Sequence, residues 1–196
     1  GLVGSEMCIR DRVYRRPKRT RTIQWEDPQI SSRDMQNISG LDYLCALRDV
    51  SIAPPPAARL VGYHILKVDT GKAVFELNPS EFHYNPFSTV HGGMLSTLLD
   101  TAMTAAVMTL LPPGKACSTL ELKVNFIRPA KSRTGPLTAK AKVIHAGKRI
   151  ATVEGRLSDE NKKLYAHATS TCMIITLKEM KGSRTQGFEG PRVADG

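Results

Sequence analysis

The sequence predicts an α+β domain in which an antiparallel β-sheet wraps around one long central helix. The stretch from 92 to 111 is apolar and long enough for a helix, and Pro112-Pro113-Gly114 ends it. Two strand-like runs precede this stretch and four follow it, with alternating or β-branched composition. One apolar helix among about six strands is buried most economically when the sheet curls around it.

Upstream of the central helix, the pattern predicts a short helix and then a β-hairpin. A serine suited to N-capping precedes Gly40, and leucines recur on one stripe up to Arg48. The three consecutive prolines at 54–56 are expected to stop any helix there. The strands of the hairpin, separated by a turn at 69–71, are predicted over Leu60 to Val68 and Lys72 to Leu77.

Downstream of the central helix, turn-forming residues separate four further strands. Apolar and polar residues alternate in the first of them. This alternation predicts that Leu120 and Phe126 face the helix while Thr119 faces outward. The four strands are predicted over Thr119 to Ile127, Leu137 to His145, Arg149 to Leu157 and Leu164 to Ile175.

Composition divides the chain into an arm, one domain and a tail. Residues 1–37 lack apolar periodicity and are rich in Arg, Thr, Gln and Pro, so we expect a disordered basic arm. Residues 1–12 resemble the translated read-through of a sequencing adapter, and a basic targeting peptide is the alternative. The domain is predicted over 38–178, and residues 179–196 are expected to form a flexible tail.

Charge and cysteine content narrow the classes of function. The net charge is +10, but residues 10–21 alone carry seven positive charges and one negative charge. The remainder is mildly basic, which favours a small phosphate-bearing ligand over nucleic acid. The four cysteines and five histidines show no metal-ligand spacing, so we expect free thiols, a reducing cytoplasmic compartment and no metal. No apolar run is long enough to span a membrane.

The run from Asn85 to Asp100 carries the candidate chemistry. His91-Gly92-Gly93 opens the apolar helix, and free amides at a helix start bind anions. Asp100 lies in the middle of that helix, where a carboxylate is costly unless it has a partner or a function. Together these residues indicate acyl chemistry, with amide donors for an oxyanion and a carboxylate that attacks or activates water. The structural alternative is an Asp100 hydrogen-bonded to Ser96 or Thr104.

Geometry along the helix predicts a site shared between two subunits. Gly92 and Asp100 are eight residues apart, or about 12 Å along one helix axis. A reacting carbonyl carbon must lie within about 3 Å of the attacking group while its oxygen meets the donors. We therefore expect Gly92 and Asn85 of one subunit to meet Asp100 and Thr119 of its twofold mate. A homodimer is then the minimum functional unit.

Three segments together resemble a known family. They are the run Asn85 to Asp100, the stretch Thr119 to Pro129 and the stretch Leu164 to Ser170. In order and spacing they closely resemble the PaaI-like acyl-CoA thioesterases of the hotdog-fold superfamily. His-Gly-Gly followed seven residues later by Asp separates this branch from the hotdog dehydratases and from the branch that uses a helix Glu. The resemblance implies a hotdog fold, hydrolysis of an acyl-CoA thioester and a homotetramer as the usual assembly.

The resemblance also implies a role for each motif residue. Asp100 corresponds to the nucleophile or general base, two routes that the sequence does not separate. The amide of Gly92 corresponds to the donor that binds the thioester oxygen. Asn85 and Thr119 correspond to residues that position water or substrate. His91 shapes the turn and is a candidate for contact with the carbonyl.

Further contacts with the substrate are expected from Gly93 and from basic side chains. Gly93 has no Cβ to block an approaching substrate. No separate cofactor is expected, because the CoA thioester is itself the substrate, with an aryl or medium-chain acyl group. The basic candidates for the CoA phosphates, each of which is otherwise a solvated surface charge, are Arg128, Lys131, Lys148 and Arg149.

Other functions stay open at the level of sequence. A non-hydrolytic hotdog protein would bind acyl-CoA without turning it over, although an intact Asp100 disfavours this. A nucleic-acid-binding protein would use the basic residues at 10–21. A hydratase or dehydratase would need a differently placed His and carboxylate. One position also departs from the family pattern, since members often have Gly where this chain has Ser88.

Overall fold

The computed structural model describes residues 18–28, 33 and 35–177. The predicted tail at 179–196 and the adapter-like residues 1–12 lie outside the described residues. The predicted limits of the arm, the domain and the tail stay predictions. Among the residues described, no helix is both long and apolar enough to cross a bilayer.

Six strands form one antiparallel sheet in the order β1-β2-β4-β5-β6-β3. This order leaves β1 and β3 at the two edges of the sheet. All six predicted strands are present, and their ends differ from the prediction by a few residues. The strands are β1 (Tyr63–Asp69), β2 (Lys72–Leu77), β3 (Lys115–Phe126), β4 (Leu137–Ala146), β5 (Ile150–Asp159) and β6 (Leu164–Thr176).

In the described part of the chain, two short helices come directly before β1. Helix α1 (Gly40–Arg48) has the predicted bounds, and the Ser39 hydroxyl accepts a hydrogen bond from the Asp42 N–H at its start. The expectation that the prolines only stop a helix was wrong, because Pro56 begins helix α2 (Pro56–Val61). Proline fits the first turn of a helix, where its missing N–H has no partner to lose and its fixed φ is already helical.

The central helix α3 (Gly92–Met108) is buried against the sheet and contacts every strand. Leu98, Leu99, Ala102, Met103 and Ala106 have no exposed surface. The predicted architecture of an antiparallel sheet around one long helix is therefore confirmed. At about 25 cal/mol per Å² of apolar surface removed from water, this burial is the main stabilising contribution to the fold.

Helix α3 ends at Met108 rather than at the predicted Leu111. The Thr109 hydroxyl donates to the carbonyl of Ala106 at 2.7 Å and accepts from the Gly71 N–H at 2.7 Å. Because one hydroxyl serves both the helix end and the β1–β2 turn, it ties these two elements together. The prolines at 112 and 113 lie beyond this stop.

Strand β3 contains a β-bulge that reverses the predicted orientation of its first part. Its register against β6 shifts between Thr119 and Glu121, so the alternation is broken at Leu120. Thr119 consequently faces α3 instead of solvent, and the prediction that it faces outward was wrong. Leu120, predicted to face the helix, is 55% exposed. Phe126, beyond the bulge, contacts the start of α3 as predicted, although it is 52% exposed. The extra residue in the bulge is what turns the Thr119 side chain toward the central helix.

Part of the predicted arm lies against the domain. The Arg21 guanidinium donates to the carbonyls of Leu60 and Arg59 in the last turn of α2, at 2.7 and 2.9 Å. It also lies 4.0 Å above the centroid of the Phe82 ring. Arg19 forms an ion pair with Glu81 next to that ring. Segment 18–28 is thereby held near the loop that leads to α3.

Gly40 allows α1 to approach the end of α3. A Cβ at this position would lie only 2.0 Å from the carbonyl oxygen of Met108. The Gly40 N–H also donates to the Leu111 carbonyl at 3.0 Å. Since the obstructing atom belongs to the backbone of the central helix, any side chain at position 40 must displace α1.

We expect Gly40→Ala to destabilise the protein by about 2–3 kcal/mol, because overpacking against a backbone atom cannot be relieved by a side-chain rotation. Urea unfolding monitored by circular dichroism measures the change. Gly155→Ala is the matched control, since its Cβ would meet the flexible side chains of Met103 and Leu99 at 3.1 and 3.2 Å. A Gly155→Ala variant that is less stable than Gly40→Ala would contradict this interpretation.

Candidate active site

The start of α3 is organised by His91. Its Nδ1 accepts a hydrogen bond from the Gly93 N–H at 2.9 Å, which makes His91 the N-cap of the helix. Because Nδ1 accepts, this hydrogen bond assigns the ring proton to the exposed Nε2. The His91 N–H donates to the carbonyl of His83 at 2.8 Å. His91 therefore presents a donor to solvent from a fixed backbone position.

His83 supports this arrangement from the interior. It is buried, its Nε2–H donates to the Val61 carbonyl at 2.7 Å, and its Nδ1 accepts from the Ser80 N–H at 3.0 Å. Burial lowers the pKa of His83 below its usual value, so the ring stays neutral near neutral pH. His83 is thus a structural residue beneath the catalytic candidate His91.

The two glycines after His91 have different surroundings. The Gly92 N–H has no hydrogen-bond acceptor within the part of the chain that the structure describes. A Cβ on Gly92 would lie 3.0 Å from Cζ of Phe126, so this ring covers the helix start. A Cβ on Gly93 would lie 3.0 Å from Nδ1 of His91. The space beside Gly93 is therefore filled by the His91 ring rather than left open for a substrate.

Asn85 holds the loop before the helix in a closed turn. Its Oδ1 accepts from the N–H groups of Phe87 and Thr89, at 2.9 and 3.3 Å, and from the Thr89 hydroxyl at 3.2 Å. Ser88 within this loop has a φ of 57°, in the left-handed region that favours glycine. This conformation gives a physical reason for the preference for glycine at that position in the family it resembles.

Asp100 is half-buried and is held by β3. Its Oδ1 accepts a hydrogen bond from the Thr119 hydroxyl at 2.8 Å. Thr104, the structural alternative, donates instead to the backbone carbonyl of Asp100 at 2.8 Å. Oδ2 has no hydrogen-bond partner among the described residues. The carboxylate is thus oriented through one oxygen while the other remains available.

Two groups near Asp100, the Tyr63 hydroxyl and the Cys117 thiol, are neutral. Burial raises the pKa of Tyr63 above its usual value, with a smaller contribution from the negative charge of Asp100. A hydrogen bond with Cys172, together with burial and the nearby Asp100, raises the pKa of the Cys117 thiol. Both groups therefore stay protonated at neutral pH, so neither is a nucleophile nor a counter-ion for Asp100.

The structure brings the predicted site residues together in two groups. One group consists of His91 and Gly92 at the helix start, with Asn85 in the loop before it, and the other of Asp100 and Thr119. The two groups lie eight residues apart on one continuous helix, about 12 Å along its axis. Phe126 and Tyr63, which adjoin the first and second groups respectively, were missed by sequence reasoning because nothing in their spacing distinguishes them from core residues.

The basic residues expected to contact the CoA phosphates also lie in different parts of the domain. Arg128 is exposed, donates to the Leu164 carbonyl and lines a cleft of about 330 Å³ with Gly92 and Phe126. Lys148 and Arg149 lie in the β4–β5 turn, next to Ile174, which pairs with Cys117 on β3. Nine residues of extended strand separate Cys117 from Phe126, which is roughly 30 Å. Arg128 and the turn at 148–149 therefore lie at opposite ends of one sheet. Lys131 is half-buried in the loop after β3.

Comparison with known proteins identifies the family. Residues 87–166 match the model of the Thioesterase superfamily. The 1,4-dihydroxy-2-naphthoyl-CoA hydrolase of Listeria monocytogenes is 32% identical over 121 residues, which covers 62% of this chain and 95% of that protein. The chain belongs to the thioesterase superfamily.

Two further comparisons refine this assignment. The acyl-coenzyme A thioesterase PaaI of Escherichia coli is 30% identical over 111 residues, covering 56% of this chain and 75% of PaaI. The crystal structure of a phenylacetic acid degradation-related protein from Ralstonia eutropha superimposes with a TM-score of 0.61 and 34% identity, covering 67% of this chain and 98% of that one. The predicted PaaI-like family and hotdog fold are both confirmed, and this thioesterase-superfamily protein is a thioester hydrolase.

Two variants of Asn85 test whether its side-chain oxygen, rather than its side-chain N–H group, stabilises the loop. We expect Asn85→Ala to lower the free energy of unfolding by about 1–2 kcal/mol, because two backbone N–H groups lose their acceptor. Asn85→Asp keeps that acceptor and is expected to change stability by less than about 0.5 kcal/mol. Thermal unfolding of both variants tests this, and equal losses in the two would contradict the role assigned to Oδ1.

Proposed function

We propose that this protein is an acyl-CoA thioesterase that hydrolyses an aryl- or medium-chain acyl-CoA to the free acid and CoA. The observation that carries the proposal is the state of Asp100. A half-buried carboxylate on an apolar helix, oriented through one oxygen by Thr119 and open at the other, is suited to attack or to proton abstraction. The thioester-hydrolase family of the chain and its acyl-CoA-hydrolysing relatives support this substrate.

In the proposed reaction the thioester carbonyl accepts hydrogen bonds from the Gly92 N–H and from Nε2–H of His91. These donors stabilise the negative charge that forms on the oxygen as the carbon becomes tetrahedral. Asp100 either attacks that carbon or takes a proton from the water that attacks it. The C–S bond then breaks, and the sulfur leaves as CoA thiolate and is protonated by solvent. In the first route, water hydrolyses the resulting anhydride and restores the carboxylate.

This chemistry requires the two residue groups to come from different subunits, and β3 offers a way to join them. It is an edge strand with exposed Leu120 and Phe126, and such an edge is a template for pairing with another chain. Two copies of β3, paired antiparallel about a twofold axis near Leu122, set Thr119 of one copy opposite Phe126 of the other. Because Phe126 covers Gly92 and Thr119 holds Asp100, this dimer forms two complete sites.

The same pairing brings together basic residues that lie at opposite ends of the sheet in one subunit. With the axis near Leu122, Cys117 of the second copy lies opposite Arg128 of the first. In that second copy, Ile174 pairs with Cys117 and its N–H donates to the Arg149 carbonyl. The β4–β5 turn, which carries Lys148 and Arg149, therefore lies beside Cys117. We therefore assign the phosphates of CoA to Arg128 of one subunit together with this turn of the other. A tetramer would consist of two such dimers.

The first test is thiol release from a panel of acyl-CoA thioesters. We expect the native protein to turn over aryl- and medium-chain members, and Asp100→Asn to lower kcat by at least about a hundredfold. Asparagine keeps the acceptor for Thr119, so the fold is preserved. Asp69→Asn, the same change in the exposed β1–β2 turn, is expected to retain full activity. If the native protein binds acyl-CoA but does not turn it over, the proposed hydrolysis is wrong and the protein is a non-hydrolytic acyl-CoA-binding protein.

The second test addresses the Gly92 amide and the shared site together. Gly92→Pro removes the N–H at a helix position where proline is tolerated, after a residue whose ψ of 134° suits it. We expect a loss of about a hundred- to a thousandfold in kcat. Gly92→Ala is the control, because it crowds Phe126 in the same way and keeps the N–H. Equal losses in the two variants would contradict the role of the amide.

Mixing the two inactive variants then tests the dimer. Unfolding and refolding Gly92→Pro with Asp100→Asn gives mixed dimers in which one of the two shared sites carries neither change. We expect about a quarter of the native activity, since half of the dimers are mixed and half of their sites are intact. If each site were built within one subunit, the mixture would stay as inactive as its components.

A further inference from the structure

An apolar cavity of about 420 Å³ lies between α1, β1 and the C-terminal half of α3. The proposed mechanism does not use it. Most of its walls are aliphatic or aromatic, and its volume is in the range of small-molecule sites. Six residues that define these walls are Tyr43, Leu44, Ile65, Phe75, Ala105 and Met108.

One wall of the cavity begins next to Asp100. Thr101 and Thr104, which come after Asp100 on α3 within about one turn, both line it. Tyr63 lines it from β1 and is close enough to Asp100 for the carboxylate charge to act on its hydroxyl. Farther along the helix, Ala105 and Met108 lie about 8 and 12 Å beyond Asp100. The cavity thus extends from the candidate nucleophile toward the end of α3.

The polar groups in the cavity already have partners. The Thr101 side chain acts on the Tyr63 hydroxyl and partly offsets the rise in the pKa of Tyr63. The Thr104 hydroxyl donates to the backbone carbonyls of Asp100 and Thr101, at 2.8 and 3.1 Å. A bound molecule is therefore not needed to satisfy these groups. A polar substituent that entered the apolar end of the cavity would lose its hydration without a replacement.

We propose that this cavity within one subunit receives the acyl group of the substrate, and that it selects an unsubstituted apolar acyl group of medium length. The inference rests on the proposed thioesterase function and specifies its substrate. With the carbonyl carbon at Asp100, the acyl group runs past Thr104 to Met108, between α1 and β1. The aromatic side chains of Tyr63 and Phe75, whose rings pack edge to face with centroids 6.1 Å apart, form one side of this path.

Chain length gives the first measurable consequence. Each methylene buried in the cavity contributes about fourfold to kcat/KM, so activity is expected to rise steadily from acetyl-CoA to octanoyl-CoA. A hydroxyl near the end of the chain, as in 7-hydroxyoctanoyl-CoA, is expected to lower kcat/KM roughly tenfold to a hundredfold relative to octanoyl-CoA. An activity that is equal for the two-carbon and eight-carbon substrates would overturn the proposal.

Variants that fill the cavity give the decisive comparison. We expect Ala105→Leu on α3 to lower the ratio of the octanoyl-CoA to the acetyl-CoA kcat/KM at least tenfold. Ala58→Leu, which fills the same cavity from α2, is expected to act in the same direction. It provides a second test in case the first variant does not fold. The matched control is Ala53→Leu, which adds the same atoms to a different cavity, lined by residues 21–26 and 53, 54 and 59, and leaves the ratio unchanged.

Binding measurements separate failure of this inference from failure of the proposed function. Calorimetric titration with octanoyl-CoA and acetyl-CoA reports on the cavity without turnover when the native cavity and the three Ala→Leu changes are each placed in the Asp100→Asn background. If turnover does not depend on chain length, or if the ratio of the octanoyl-CoA to the acetyl-CoA kcat/KM is the same in all variants, the cavity does not bind the acyl group. The proposed thioesterase activity then still holds. Absence of turnover on every thioester rejects the thioesterase. In that case, weaker octanoyl-CoA binding in Ala105→Leu and Ala58→Leu alone still assigns the cavity to the acyl group, and equal binding rejects it.

Discussion

The structure depends on burying one helix inside one sheet. Helix α3 contacts all six strands, and its inner residues have no exposed surface. A helix enclosed in this way has only two places for polar chemistry, its start and the stripe that the sheet leaves uncovered. His91 and Gly92 occupy the first, and Asp100 occupies the second. The same enclosure fixes the distance between the two groups, because a buried helix of this length cannot bend to bring them together.

Much of the fold could be predicted because its boundaries are marked by local signals. The Ser39 cap, the turn at 69–71 and the alternation within each strand are short-range features, and all of the predicted strands are present. The errors come from interactions that no local pattern encodes. Pro56 begins a helix because Ala58 and Val61 are buried in the core and hold the turn in place. Thr109 ends α3 early because its hydroxyl also serves the distant Gly71.

The candidate site likewise contains residues that a local sequence pattern identifies and features that depend on long-range packing. The sequence motif marked Asn85, His91, Gly92 and Asp100 as candidates because of their spacing around a helix start, and their roles stay predictions. It could not predict the orientation of Thr119, since a β-bulge inserts one residue without requiring any particular side chain. The apolar cavity was equally out of reach. Its walls come from several segments between residues 35 and 108, and only the packed structure brings α1 and Phe75 to the same surface as Met108.

The contact of Arg21 with α2 has a consequence for how the domain assembles. Helix α2 is six residues long, far below the length at which a helix is stable by itself in water. Two carbonyls in its last turn accept hydrogen bonds from a guanidinium 38 and 39 residues earlier in the chain. The helix therefore gains its final stability from a long-range loop closure, with the entropy cost that this implies. Segment 18–28 thereby supports α2, and α2 contributes Ala58 to a wall of the apolar cavity.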